Sequence, residues 1–269
     1  MVVSGIYIRS THYYYLSSME KLTVIIPCKD EADNMEEVLE SVKWVDEILV
    51  IDSYSTDDTL AIARKYTDRI LEHEYENSAA QKNWAIPQAT HNWILLVDAD
   101  ERVTPELQKE IEEMLNGGLK HKGYWVQRQN YFMGKHVKYG GMAGDKVIRL
   151  FTKEARYEDR KVHAEVIIDG TVGELKGKLE HNSYKSLGHY LSKVHRYTRW
   201  SAMDKNASTG SIGLFHLIIK PGFKFFQFYI LKRGFLDGFV GLVLASLSAY
   251  TILLRYIQMW EIRRTNDGS

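Results

Sequence analysis

The chain runs to 269 residues with a single cysteine, Cys28, and no net formal charge. One thiol excludes an intramolecular disulfide and fits a reducing compartment. The opening "MVVSGIYIRSTHYYYLSSME" lacks the apolar core of a secretory leader. Residues 1–20 are therefore expected to form a disordered extension outside the fold. Internal repeats and low-complexity linkers are also missing. The charge neutrality is only an average. Residues 1–184 hold 23 Lys+Arg against 31 Asp+Glu (−8), and residues 185–269 hold 12 against 4 (+8). The basic third is also apolar and aromatic, a pairing that suits an anionic membrane surface and argues against nucleic acid. With 45% hydrophobic and 26% charged residues, the chain is globular and long enough to bury a sizeable core.

From Lys21 strand and helix patterns alternate. "LTVIIP", "EILVID", "DRILEH" and "NWILLV" read as strands. "NMEEVLESVKW", capped by Asp33 and Asn34, "STDDTLAIARKY" and "SAAQKNWAI" read as the helices between them, and Pro87 ends or kinks the third. Thr104 and Pro105 open a fourth helix that Gly117 and Gly118 close. This is a parallel α/β sheet with right-handed crossovers. Beyond Gly118, "GYWVQRQNYF", "KVIRLF" and "AEVIID" predict strands of mixed direction, and from Leu187 the chain is expected to be helical.

In open α/β sheets ligands sit beyond the carboxyl ends of the strands. Three polar stretches fall there: "IPCKDE", "IDSYSTDD" and "VDADE". Asp98 and Asp100 close an apolar run and stand two residues apart, so in extended backbone both carboxylates share one side. Two such acids repel unless a divalent cation or ligand donors separate them, and Mg2+ or Mn2+ prefers oxygen ligands of this kind.

These stretches, with "AQKNWAI" and "WILLVDADERVTPEL", resemble the family 2 glycosyltransferases. "VQRQNYFMGKHVKYGG", "IRLFTKEARYEDRKVH" and "HNSYKSLGHYLSKVHRYT" resemble the bacterial subgroup that adds sugars to the lipopolysaccharide inner core. The resemblance covers roughly residues 21–260. It implies a GT-A fold, a Rossmann-like mixed, mainly parallel sheet flanked by helices. Residues 21–186 would be the catalytic domain, with a nucleotide-binding half (21–118) and an acceptor half (119–186).

The resemblance also implies roles. Pro27 and Glu31 would meet the base and ribose, Asp52 the uridine, Lys82 the nucleotide or diphosphate, and Asp98 the ribose or metal. Asp100 would be the principal ligand of Mg2+ or Mn2+, and His181 would complete its shell. The usual second acid after Asp52 is Ser53 here, and Lys82 replaces a common arginine. Asp145 is the favoured catalytic base. Glu165 is the other candidate, displaced by one position because Ala164 stands where relatives carry the acid. Arg128 and Arg149 are expected to bracket acceptor phosphates, and His163 is either an acceptor-site or a sheet-surface residue. Cys28 is expected to be a small buried hydrophobe.

Residues 187–269 are expected to form a helical membrane-associating region. Residues 238–254 are 17 uncharged positions, just short of the roughly 20 that span a bilayer. Lys220, Lys224, Lys232 and Arg233 lie among Phe223, Phe225, Phe226, Phe228 and Tyr229, a composition suited to an interfacial or re-entrant arrangement. The alternative is a buried hairpin or a dimer contact.

The function these features imply is metal-dependent, inverting transfer of a sugar from a nucleotide sugar, UDP-linked, to a lipopolysaccharide core or other lipid-linked acceptor. It would take place on the cytoplasmic face of the bacterial inner membrane. A haloacid dehalogenase type phosphatase would need Thr or Val where Arg102 stands. A catalytically degenerate binding module is the remaining alternative.

Overall fold

A computed structural model describes residues 20–160, 164–184 and 186–266; His163 and most of the expected N-terminal extension lie outside these. Eleven strands and seven α-helices follow in chain order. They are β1 (Leu22–Cys28), α1 (Ala32–Val42), β2 (Glu47–Asp52), α2 (Thr59–Ala63), β3 (Ile70–Glu72), α3 (Ser78–Ala85), β4 (Trp93–Leu96) and β5 (Glu101–Val103). Next come α4 (Pro105–Gly117), β6 (Gly123–Phe132), β7 (Lys135–His136), β8 (Lys146–Thr152), β9 (Arg156–Tyr157), β10 (Val166–Ile167) and β11 (Val172–Tyr184), and then α5 (Leu187–Asn206), α6 (Lys220–Phe226) and α7 (Gly238–Asn266).

Nine strands form one sheet in the order β3-β2-β1-β4-β8-β6-β11-β5, with β7 paired to β6. β3, β2, β1 and β4 run parallel, and β8 runs antiparallel to β4 and β6. The α/β architecture with flanking helices is the one expected. Because β1 pairs with β2 on one side and β4 on the other, strand order reverses there, and a crevice opens beyond the carboxyl ends of β1 and β4. β1, β2 and β4 are buried almost throughout, as continuous apolar runs should be when helices cover both faces.

Local signals explain the ends of α3 and α4. Thr104 Oγ1 accepts from Leu107 N at 3.3 Å, with Pro105 in the first turn, and Gly118 ends α4 at φ +88°. α3 stops at Ala85 and Pro87 falls in a 3-10 turn. The cap expected at Asp33 and Asn34 is corrected. α1 begins at Ala32 after Glu31, and Glu31 Oε2 accepts from Asn34 Nδ2 at 2.5 Å.

Four strands went unread in the sequence: the two-residue β7 and β9, and β5 and β11. β5 is only three residues long, and its polar Glu101 and Arg102 are buried by pairing with charges elsewhere. β11 is the longest strand, with lysines and glycines that hide its alternation. Its Gly177 sits at a register shift, and a Cβ there would lie 2.4 Å from Leu107 Cα, so glycine is what admits the start of α4.

The helical region packs on the sheet's far end. Phe132 and Val137 form a small core with Tyr190, Val194 and Leu244 of α5 and α7. The stretch Gly234–Thr265 is long and apolar enough to cross a membrane, with 11% of its most apolar window buried.

Candidate functional site

The crevice at the strand reversal is a cleft of about 490 Å³. Pro27 to Glu31 line it from the end of β1 and the loop that follows, Ser53 from just after β2, Gln81 and Lys82 from α3, and Asp98 to Asp100 from the turn after β4. His181 and Tyr184 of β11 and Lys193, Arg196 and Tyr197 of α5 close the other side. Pro27, Glu31, Lys82, Asp98, Asp100 and His181 are thus brought together across 154 positions of sequence, from 27 to 181.

Loop geometry holds the floor in place. Asp30 and Tyr54 adopt left-handed backbone, at φ +51° and +59°, conformations uncommon outside glycine and sustained by surrounding contacts. Asp30 Oδ1 accepts from Thr56 N at 2.7 Å, Ser55 Oγ accepts from Asp30 N at 2.8 Å, and Lys29 Nζ donates to Ser53 O at 2.9 Å. Ser53 Oγ accepts from Gln81 Nε2 at 2.6 Å, tying α3 to the same loop.

Asp52, expected at the uridine, is the last residue of β2. Its carboxylate is fully buried, accepting from Ser55 N at 2.8 Å and Ser55 Oγ at 2.5 Å, so it shapes the loop and does not line the cleft. Cys28 Sγ lies 3.5 Å from Asp52 Oδ1; burial first, and then Asp52, push the thiol far above its usual range, which keeps it protonated.

The two acids after β4 share the cleft but not a partner. Asp98 pairs with Lys82 Nζ at 3.1 Å and with Arg149 Nη2. Burial pushes its carboxyl up, yet Arg149 and Lys82 outweigh that and hold it well below the usual carboxylate range. Lys82 is raised in turn: burial lowers it, and Asp98 more than compensates. The apolar run before Asp98 therefore ends on a charge the protein itself offsets, and no cation is required at that position.

Glu101, fully buried, accepts from Arg149 Nη2 at 2.7 Å and lies 3.5 Å from Arg128 Nη1. Arg128 also pairs with Asp145 through Nε at 2.8 Å and through Nη2. Both arginines expected at acceptor phosphates are therefore committed to carboxylates. Asp145 does not line the cleft.

Asp100 has a histidine and a lysine beside it instead. His181 Nε2 lies 3.6 Å from its Oδ2, and Lys193 Nζ lies 3.5 Å away. Burial raises the Asp100 carboxyl, but His181 and then Lys193 bring it below the ordinary value. Asn130 Nδ2 donates to Met142 O at 2.6 Å, which turns Asn130 Oδ1 to His181 Nδ1 at 2.6 Å. An amide oxygen there requires a proton on Nδ1, so Nε2 is the ring atom left to face Asp100. Among the described residues no group of three His, Cys, Asp or Glu side chains is gathered for a metal. A carboxylate and an imidazole nitrogen fit a divalent cation whose remaining positions are filled by ligand oxygens and water.

A second cleft of about 320 Å³ shares Lys82 and Asp98 with the first and is lined by Trp125, Tyr157 and Glu165. Glu165 thus stands across the Lys82–Asp98 pair from the larger cleft, despite its displaced position in the sequence.

The family model described as glycosyl transferase family 2 matches residues 23–167, more than half of the chain. The chain belongs to the family 2 glycosyltransferases. It is 28% identical over 251 residues to the lipopolysaccharide core biosynthesis glycosyltransferase LpsC of Rhizobium meliloti, covering 87% of this chain and 93% of that one. It is 29% identical over 257 residues to an uncharacterized glycosyltransferase of Rickettsia felis, covering 90% of each. Among solved structures, TarS 1–349 of S. aureus in complex with UDP-GlcNAc has a TM-score of 0.47 and 15% identity, covering 91% of this chain and 92% of that one. Glucosyl-3-phosphoglycerate synthase of Mycobacterium tuberculosis with Mn2+, UDP and its product has a TM-score of 0.35 and 20% identity, covering 42% and 44%.

The cleft of this family 2 glycosyltransferase also holds side chains that the sequence did not single out. Gln81, Lys193, Arg196 and Tyr197 line the cleft, and Glu101 organises its wall. Glu101 carried a signal, a carboxylate directly beside a buried strand. Lys193, Arg196 and Tyr197 lie in a stretch that reads simply as a basic helix.

Proposed function

We propose that this family 2 glycosyltransferase moves a sugar from a UDP-sugar, with a divalent cation and inversion at the anomeric carbon, to a lipopolysaccharide core or other lipid-linked acceptor. The observation that carries this reading is the gathering of Pro27, Glu31, Lys82, Asp98, Asp100 and His181 in one cleft at the strand reversal. The relative named for lipopolysaccharide core biosynthesis supports the acceptor class. Residues 21–118 would hold the nucleotide, residues 119–186 the acceptor, and residues 187–269 the membrane surface on its cytoplasmic side.

Asp100 and His181 would hold Mg2+ or Mn2+, which when bound would neutralise charge on the departing diphosphate. Pro27 and Glu31 would border the base and ribose. Lys82, fixed by Asp98, would place a charge beside the diphosphate. The proton of the attacking hydroxyl would go to Glu165 rather than Asp145. Glu165 faces the adjoining cleft, whereas Asp145 already accepts two N–H groups from Arg128 and is the poorer base.

A thermal melt of the purified protein with Mn2+, with UDP, with both, and with GDP plus Mn2+ tests the donor site. Ligand at about 100 times its dissociation constant stabilises by roughly 2.7 kcal/mol. The expected result is a shift requiring UDP and metal together, lost in Asp100→Ala at an unchanged ligand-free melting temperature. An equal shift with GDP and Mn2+ would redirect the donor assignment, and no shift with any nucleotide would overturn it.

A further inference from the structure

α5 has two distinct faces. Tyr190, Val194, Thr198 and Ala202 recur every fourth residue and are buried. This stripe is anchored on α7, with Tyr190 Oη 3.2 Å from Thr251 Oγ1 and His195 O accepting from Gln258 Nε2 at 3.3 Å. Lys193, Arg196 and Tyr197 lie on the other face and line the donor cleft. The family match ends at residue 167, so it assigns these positions no role.

Charge bookkeeping in the cleft leaves a need. Asp30, Glu31, Asp98 and Asp100 all line it, and an anionic diphosphate entering among four carboxylates would be repelled. Lys82 is already shared with Asp98. Lys193 Nζ stands 3.5 Å from Asp100 Oδ2 and 5.9 Å from the Tyr184 ring centroid, a loose pairing that leaves the ammonium free to turn. Arg196 has no carboxylate partner among the described residues. Its guanidinium lies 5.5 Å from the Tyr197 ring centroid and 5.8 Å from that of Trp200, aromatic neighbours that hold its planar fork beside the opening.

We propose that Lys193 and Arg196 of α5 are binding residues for the diphosphate of the nucleotide donor, so that the helix anchored on the apolar C-terminal region supplies the cations which close the donor site. The proposal rests on the UDP-sugar reading above and extends it to residues outside the matched domain.

Isothermal titration of the full chain with UDP and with UMP, both in Mn2+, provides the test. A charge-assisted contact to phosphate corresponds to about tenfold in affinity. Lys193→Ala and Arg196→Ala should each weaken UDP about tenfold while leaving UMP nearly unchanged, because UDP carries more phosphate charge. Lys193→Arg should restore most of the loss. Arg199→Ala, which removes a charge on α5 paired with Glu261 at 3.0 Å, should bind UDP like the wild type. An unchanged ratio of UDP to UMP affinity in both alanine variants overturns the proposal, as does an equal loss for both nucleotides, which would mark a merely structural role. A wild-type protein that binds UDP and UMP equally also overturns it, with the donor reading intact. A wild type that binds neither nucleotide takes the donor reading down as well.

Discussion

A carboxylate at the end of a buried strand needs a counter-charge, and Asp98 and Asp100 meet that need differently. Asp98 takes its cations from Lys82 and Arg149, whereas Asp100 is left with a histidine and a loosely placed lysine. On the proposed reading, Asp98 would be a positioning residue and Asp100 a metal ligand within one three-residue motif. The same reasoning divides the candidate bases. Glu165→Gln should lower kcat by 10²- to 10⁴-fold, the range of a general base, with UDP affinity unchanged in titration. Asp145→Asn should retain more activity and lose thermal stability, since it disrupts the pair with Arg128. Equal kcat losses in both variants would remove Glu165 from the role.

Glu47, at the start of β2, works at the scale of elements. Its carboxylate accepts from Thr23 Oγ1 of β1 at 2.6 Å, from Thr90 N and Oγ1 ahead of β4 at 2.7 Å each, and from Arg69 Nε ahead of β3 at 3.0 Å. It ties together the edge of the parallel sheet opposite the cleft. Burial raises its carboxyl, but Thr23, Thr90 and Arg69 outweigh burial and hold it at about 2, against 4.5 for an ordinary glutamate. A depressed pKa means that the stabilisation is present above pH 4.5 and is lost as pH falls toward 2. Glu47→Gln should therefore reduce stability by about 1–3 kcal/mol near neutral pH and flatten the pH dependence in that acid window, both read from urea titrations at a series of pH values. An unchanged acid limb would disprove the assignment. α1, α3 and α4 were legible because their apolar spacing is local, as are the end signals of α3 and α4. β11 was not, because its Lys and Gly residues earn a place in the sheet only through β6 and β5 on either side.

At the scale of the whole molecule, the charge split of the sequence becomes a spatial arrangement. Leu214, Phe215, Ile218, Ile219, Phe223 and Phe239 are all more than half exposed on the helical region, and exposed apolar side chains in such number are a feature of membrane or protein contact surfaces. α7 is about 43 Å long at 1.5 Å per residue, longer than a bilayer core, yet Arg255 ends its uncharged run and α5 covers part of its length. On the proposed reading this helix would lie at the headgroup level, with Lys224 and Lys232, 4.0 Å and 5.0 Å from the Phe228 ring centroid, beside it. Phe223→Glu with Phe239→Glu should abolish flotation with vesicles containing anionic lipid while leaving UDP binding intact. Undiminished flotation of the folded double variant would sink the interfacial reading.

The sequence alone determined the α/β alternation, the family, the apolar basic tail and the cluster of acids after β4, since each depends on neighbours within a few turns of chain. Tertiary structure decided how those acids are used. Arg149 reaches Asp98 and Glu101 from β8, Arg128 pairs with Asp145, and α5 brings Lys193 to Asp100 from 93 residues away. A charge's partner depends on distance in space, and no local pattern in the chain records that distance.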